Sequence, residues 1–598
     1  MLEAKKNRLN YGELLSPPPG YELDYALGTS YSLDLKTLLA LPIAMFYART
    51  TDGDFSQDRF DVLDAIRKCN ERVTVFCQRG KVQATEAKGY NKLLAFIDSS
   101  VVEVTPSQYN ASFHPKLWIL RFIKDDAIFY RTIVLSRNLT FDRSWDMAYY
   151  TDSKVGKKSN KEAQKLADYL QYFAEDMDTQ LPVNFLVDYS KIVIEDSDDF
   201  EMPQIFPILG FNKQIEKYPN PLETETFDRL LILSPFVQKT TLERFIKTTS
   251  SKPYLVARQD QLDAIYQKDK TFLKDNFDCY TISDVIVDGE QTLDSDGMSN
   301  ITQDLHAKLF VGQSGKETNW YMGSANCSEP AFTRNAELMV KLKSISRSTE
   351  FNSIKEQLLG EENGIFIPYV GKEYDIEDLA TDEEALRKVT HNLISQIYNG
   401  VFSELNEDQR CSLTISINAE ERLHIDEDWS VKVRMMHQAQ EYDFLPTTST
   451  VQIDTIAIEK VSPFIVLNIY YKEQYVSNLA VKMDAVLPTN REDTIFKNLI
   501  NSKAKFFTYI RFLLSPNDFS EGLNIEEYGV SDKAEGSANL RSALAFDSPI
   551  YEYLMLAASR SPKKLTEIDK VLERVKKMDE EIVKDFLPIW DVFKGFCK

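Results

Sequence analysis

Cysteine and histidine are both scarce in this 598-residue chain, and neither is grouped as a metal site or a disulfide framework requires. The six cysteines, Cys69, Cys77, Cys279, Cys327, Cys411 and Cys597, are scattered with no CxxC pair, a usage that fits a reducing compartment. Of the five histidines, His391, His424 and His437 lack ligand spacing and read as structural or surface residues, so no metal and no cofactor is expected. Long apolar runs are missing too. The stretch Leu38 to Tyr47 is broken by Pro42 and falls short of the ~20 residues a membrane span needs. The opening MLEAKKNRLNYGELL has no apolar h-region, so no secretory signal is expected and the cytoplasm is the expected location. There is no P-loop, no GxGxxG fingerprint and no GxSxG elbow, which sets aside the nucleotide-binding and hydrolase folds those loops mark. Basic charge is the last shortage. Lys and Arg number 70 against 92 Asp and Glu, a formal net charge of −22, so any phosphate contact must come from a local basic groove or a basic partner.

What the chain does contain is an ordinary globular composition, 43% hydrophobic and 12% aromatic, which excludes disorder as its general state. Its length calls for several folded units. After a stiff SPPPG turn at 16–20, strand-like and helical runs alternate: a strand, a helix and a second strand within 28–48, a helix over Asp61–Arg72, and a strand at 73–80. Further strands are expected at Lys92–Ile97, Lys116–Phe122 and Arg131–Leu135, then an amphipathic helix from Lys161 to Met177. The pattern restarts with LLILSPFV at 230–237, a helix over Thr241–Lys247, a strand at 253–259, ELMVKLKS at 337–344 and a helix near Ser353–Leu359. Alternating strands and helices in two matching series imply an α/β fold with an internal duplication of about 190 residues. Beyond residue 385 the character changes. Short strands between 408 and 486 imply a β-rich module, followed by a helical segment at 493–515, an exposed polar loop at 516–542 and C-terminal helices. The expected units are 1–200, 201–385, 386–490 and 491–598.

The two remaining histidines head nearly interchangeable segments. HPKLWILRF leads to TIVLSRNLT, and HAKLFVG leads to WYMGSANCS. Each sets a histidine and a lysine two residues apart on a strand, where both side chains project from one face: His114 with Lys116, and His306 with Lys308. Each is followed by Ser-x-Asn, Ser136 with Asn138 and Ser324 with Asn326, and then by a carboxylate, Asp146 or Glu337. Metal-free cleavage of a phosphodiester needs such a set. A neutral imidazole attacks phosphorus, a protonated one delivers the leaving-group proton, and lysines and amides hold the phosphoryl oxygens. A carboxylate accepting from each imidazole's other nitrogen would fix its tautomer. Arg79 and Arg258 end strands near the expected mouth of the site and are candidate substrate contacts, as are Ser136 and Ser324. Lys154, Lys157, Lys158, Lys161 and Lys165 form a basic cluster that reads as a phosphate-tracking stripe or as the solvated start of a helix.

At these residues the sequence resembles the phospholipase D superfamily over roughly residues 25 to 350. Most members carry Asp five positions after the motif lysine. Here Arg121 and Gln313 stand there, which favours the tyrosyl-DNA phosphodiesterase and metal-independent nuclease branch, and GSANCS is similar to that branch's second Asn motif. The resemblance implies two phospholipase D-like α/β halves with central mixed sheets. It implies His114 as nucleophile and His306 as general acid and base. A nucleic-acid substrate, DNA before RNA, follows from the same branch. The expected setting is a prokaryotic anti-phage or DNA-repair system, with a helicase or other partner on the C-terminal modules, a homo-oligomer as one option and no membrane contact. The alternatives are a phospholipase or phosphatidyltransferase, and a non-catalytic nucleic-acid-binding scaffold.

Overall fold

The computed structural model describes residues 11–594 apart from 46–68, 84–91, 141–143, 211–218, 283–303, 361–365, 372–379, 418–425, 511–553, 556–561 and scattered positions, chiefly within 36–44 and 500–509. The expected helix at Asp61–Arg72, the polar loop at 516–542, His424 and Cys597 fall wholly or largely outside the described residues.

The first series of strands is β1 (Glu22–Ser30), β2 (Val73–Gln78), β3 (Val101–Val104), β4 (Leu117–Lys124), β5 (Ala127–Leu135), β6 (Ser144–Trp145) and β7 (Ala148–Lys154). The second is β8 (Phe200–Leu209), β9 (Arg229–Leu233), β10 (Tyr254–Val256), β11 (Asp278–Ile282), β12 (Asp304–Leu305), β13 (Leu309–Ser314), β14 (Glu317–Gly323), β15 (Ala336–Ser344) and β16 (Phe366–Pro368). They build a six-stranded sheet, β3-β2-β1-β4-β5-β7, and an eight-stranded one, β16-β11-β10-β9-β13-β14-β15-β8. The orders β3-β2-β1-β4-β5-β7 and β11-β10-β9-β13-β14-β15 match strand for strand. In each, the first three strands run parallel and the next are antiparallel hairpins. The fold is α/β and duplicated.

Burial on both faces explains why β4 reads as a continuous apolar run rather than an alternating one. Leu117 and Ile119 join a core shared with Leu231, Leu309 and Leu338 of the second sheet and with Leu166, Leu170 and Phe173 of the helix Lys161–Asp176. Trp118 and Leu120 face the opposite core, where the C-terminal helices Pro562–Met578 and Leu587–Phe593 contribute Leu565, Ile568, Leu572 and Trp590. The outer face of the second sheet is covered by Lys239–Thr248 and Gln259–Lys268 through Leu242, Phe245, Leu262 and Ile265.

Two expectations change. Lys92–Phe96 is a 3-10 helix, not a strand, because its apolar run packs into the core as a turn before β3. A short apolar run fits either element by pattern. The His-x-Lys residues precede β4 and β13 instead of lying within them, since both strands begin at the leucine after the lysine.

The β-rich region spans Tyr398–Ala485 as two four-stranded sheets. Its strands Arg410–Ile417 and Trp429–Met435 alternate buried and half-buried residues, as a sheet with one face in the core must. A buried polar knot ties it and the following helix to the first half. Arg491 pairs bidentately with Asp98 at 2.7 and 3.1 Å, and Lys482 donates to the carbonyl oxygens of Asp98 and Val101 at 3.0 and 2.8 Å.

Candidate functional site

Each half presents its histidine in an extended segment pinned by the other half. His114 N–H donates to the Ala336 carbonyl at 2.9 Å, and Phe113 bridges Ala336 in parallel. In the second half, His306 N–H donates to the Trp145 carbonyl at 3.1 Å, and β12 pairs in parallel with β6. Ala336 and Trp145 are the residues just before Glu337 and Asp146. The segment before each histidine is therefore stitched to the segment before the opposite carboxylate, around a pseudo-twofold axis.

One side-chain pair repeats this exchange. His114 Nδ1 lies 2.9 Å from Glu337 Oε2, so the nucleophile candidate of one half is oriented by the carboxylate of the other. Ser324 Oγ also donates to Oε2, and Asn335 Nδ2 donates to Oε1 at 3.0 Å. Around Asp146, Ser136 Oγ donates to Oδ1 at 3.3 Å and Ser144 Oγ to Oδ2 at 2.6 Å. Ser136 and Ser324 have one structural duty in each half: their hydroxyls accept from Met147 N–H at 2.8 Å and Leu338 N–H at 2.9 Å. Lys116 and Lys308 each turn back to the carbonyl of the histidine two residues before, and both are buried, at 1% and 4% exposure. Asn138 and Asn326 close the set, each with a buried amide oxygen that has no hydrogen-bond partner among the described residues. Leaving such an atom unpaired costs free energy, and the same atom recurs at equivalent positions of the two halves.

Electrostatics fit an anion. Burial pushes the Lys116 ammonium well below the usual lysine range, and the nearby Lys308 charge pushes the same way. A bound anion would favour the charged form of the buried Lys116. Burial also lowers the His114 imidazole, helped by Lys116 and Lys308 and opposed by Glu337. Glu337 is held below the usual carboxylate range: burial acts to raise it, but His114, Lys116 and the Ser324 hydroxyl outweigh it. His114 is thereby favoured neutral, with Nδ1 as the donor to Glu337 and the lone pair left on Nε2.

Arg258, expected at the mouth, lies beside the second half-site: its Nε donates to the Leu305 carbonyl at 3.2 Å, one residue before His306. Arg79 does not join it. Its guanidinium pairs with Glu103 at 3.0 Å and donates to the Gln396 carbonyl at 3.1 Å, at the junction with the β-rich region, so the expected substrate contact is replaced by a structural one. Lys161 and Lys165 belong to a helix capped by Asn160, and Lys165 is paired with Glu162 at 2.8 Å, as the helix-start reading requires. His391 packs edge-on to Tyr109, and burial lowers His437 to about 4. Arg121 bridges Asp24 and Asp188 at 3.3 Å each, and Gln313 faces Arg229. Sequence reasoning missed Tyr31, whose ring meets the His114 imidazole edge-on at 5.1 Å, Gln78, which accepts from Phe113 N–H at 2.7 Å, and Asn335. No local motif marks them. Only the duplicated strand order brings them to the histidines. Among the described residues no group of three His, Cys, Asp or Glu side chains is arranged to hold a metal ion.

No protein-family model and no curated protein matches the sequence. Among solved structures, yeast tyrosyl-DNA phosphodiesterase aligns at 15% identity over 56% of this chain and 87% of that one, with a TM-score of 0.34. Phosphatidylserine synthase from Haemophilus influenzae Rd KW20 aligns at 12% identity over 63% and 88% of the two chains, with a TM-score of 0.32. Polyphosphate kinase from Porphyromonas gingivalis aligns at 11% identity over 64% and 51%, with a TM-score of 0.31. The fold itself is two α/β halves with matching strand order, each pinning the segment before the other half's histidine.

Proposed function

We propose that this chain is a metal-independent phosphodiesterase that cleaves nucleic acid through a phosphohistidine intermediate. The observation that carries the reading is the crossed pairing of half-sites, with His114 Nδ1 2.9 Å from the opposite half's Glu337. In this reading His114 Nε2 attacks phosphorus while protonated His306 gives its proton to the departing oxygen, so that a P–N bond forms as a P–O bond breaks. A water then attacks the same phosphorus with His306 taking its proton, the P–N bond breaks, and His114 returns to its starting state. Lys116, Lys308, Asn138 and Asn326 hold the phosphoryl oxygens, and Glu337 stabilises the His114 imidazolium character that develops on attack. Asp146 has the equivalent part opposite His306.

Nucleic acid is preferred over lipid because Arg121 and Gln313 stand where most phospholipase D-like motifs have Asp. Arg121 is already committed to Asp24 and Asp188. Among the described residues no helix is long and apolar enough to cross a membrane. We place the enzyme in an anti-phage or DNA-repair assembly, with the β-rich and C-terminal helical regions as docking surfaces for a helicase or similar partner. The test is cleavage of single- and double-stranded DNA in the presence of chelator. Wild type is expected to cut, with His114→Ala inactive and His306→Ala slowed by at least ~10²–10⁴-fold. Equal cleavage by all three, or none by wild type, overturns the reading.

A further inference from the structure

The duplication extends to the loops after β1 and β9. Ser30 Oγ accepts from Leu139 N–H at 3.0 Å and donates to the Ser32 carbonyl. Ser234 Oγ accepts from Cys327 N–H at 2.9 Å and donates to the Phe236 carbonyl. Leu33 bridges Leu139 as Val237 bridges Cys327. Leu139 and Cys327 directly follow Asn138 and Asn326, so both loops border the half-sites. The last residue of β2 and the second residue after β10 correspond as well. Gln78 holds the N–H of Phe113, and Arg258 holds the carbonyl of Leu305, each one residue before the histidine.

Within this symmetry the two mouths differ. On the first side, position 32 is a serine, and the neighbouring Tyr31 packs its ring against His114 with Lys81 over its face at 5.6 Å. On the second side, the equivalent of Ser32 is Phe236, which stays 41% exposed while the Arg258 guanidinium sits 4.5 Å from its ring centroid. The tyrosine is consumed in orienting an imidazole. The phenylalanine is a half-open aromatic surface braced by a cation that also holds the carbonyl of Leu305, one residue before His306.

We propose that Phe236, braced by Arg258, is a stacking platform for one unpaired base next to the scissile phosphate, so that the site takes single-stranded nucleic acid. The inference rests on the phosphodiesterase reading above. Because the platform lies on the His306 side, the stacked base belongs to the departing fragment. A base in intact duplex has both faces covered by its neighbours and must be unstacked to reach Phe236, which disfavours duplex. Base–aromatic stacking tolerates sequence because every base has a π-face.

The experiment uses the full chain and a single-stranded oligonucleotide in which one phosphodiester is flanked by methylphosphonate linkages, so that only one bond can be cut. Two further versions lack the base on one or the other side of that bond. Phe236→Ala is expected to lose roughly 5- to 150-fold in kcat/KM on the intact oligonucleotide, the range for base–aromatic stacking. The loss should disappear when the departing-side base is absent, and Phe236→Trp should retain wild-type rates. Unchanged rates for Phe236→Ala on the intact oligonucleotide, or an equal loss on all three versions, overturn the platform. The phosphodiesterase reading is tested by a separate arm: wild type that cuts none of the three, or cuts no faster than His114→Ala, overturns that reading itself.

Discussion

His114 is the residue on which the site turns. Its backbone, its Nδ1 and one edge of its ring are each fixed by a different part of the chain: Ala336, Glu337 and Tyr31. Glu337 stands at a similar distance from its histidine as Asp146 does from its own in the sequence, but the pairing of Glu337 with the histidine of the other half is not legible there. That exchange follows from the pairing of segments hundreds of residues apart in sequence. The same holds for Tyr31, Gln78 and Phe236, which carry no motif of their own. One consequence is measurable. Burial and the two lysines lower the His114 pKa from its ordinary 6.5, and in the proposed mechanism the neutral imidazole is the attacking form. Protonation therefore removes activity only below that depressed value. The acid limb of kcat/KM against pH is expected to have its midpoint below 6.5, and an acid limb centred at or above 6.5 would contradict this account.

At the scale of elements, alternation and apolar runs located most strands, because these sheets are buried and their residues must satisfy one or both faces. The runs failed where length was short, as at Lys92–Phe96, and where an extended segment is held by a neighbour without belonging to a strand, as at His114 and His306. The turn after β14 shows how tightly the second motif is built. Gly323 has φ +149°, and a Cβ there would sit 2.2 Å from the Leu338 carbonyl oxygen. The next residue, Ser324, must keep its hydroxyl on both Glu337 and Leu338 N–H. Gly323→Ala is expected to destabilise the chain by more than about 1 kcal/mol, read as a lower denaturation midpoint in urea. An unchanged midpoint would show that the turn accommodates a side chain. The equivalent position in the first half is Leu135, so comparing the halves by sequence gives no hint of the constraint.

At the scale of the molecule, two sheets share one core, and the two His-x-Lys segments lie where their stitched segments meet. In the proposed mechanism the net charge of −22 is compatible with phosphate binding because the lysines that would hold the phosphoryl oxygens, Lys116 and Lys308, are internal. The C-terminal regions were legible as β-rich and helical, but their close attachment through Asp98, Arg491 and Lys482 was not, since buried ion pairs leave no periodic pattern. The central claim is that two half-sites act on one phosphorus. A structure of the chain with orthovanadate tests it most directly. The account predicts vanadium bonded to His114 Nε2, with His306 within hydrogen-bond reach of the opposite apical oxygen and Lys116 and Lys308 on the equatorial ones. Vanadate held by one histidine with the other out of reach, or bound away from both, would contradict it.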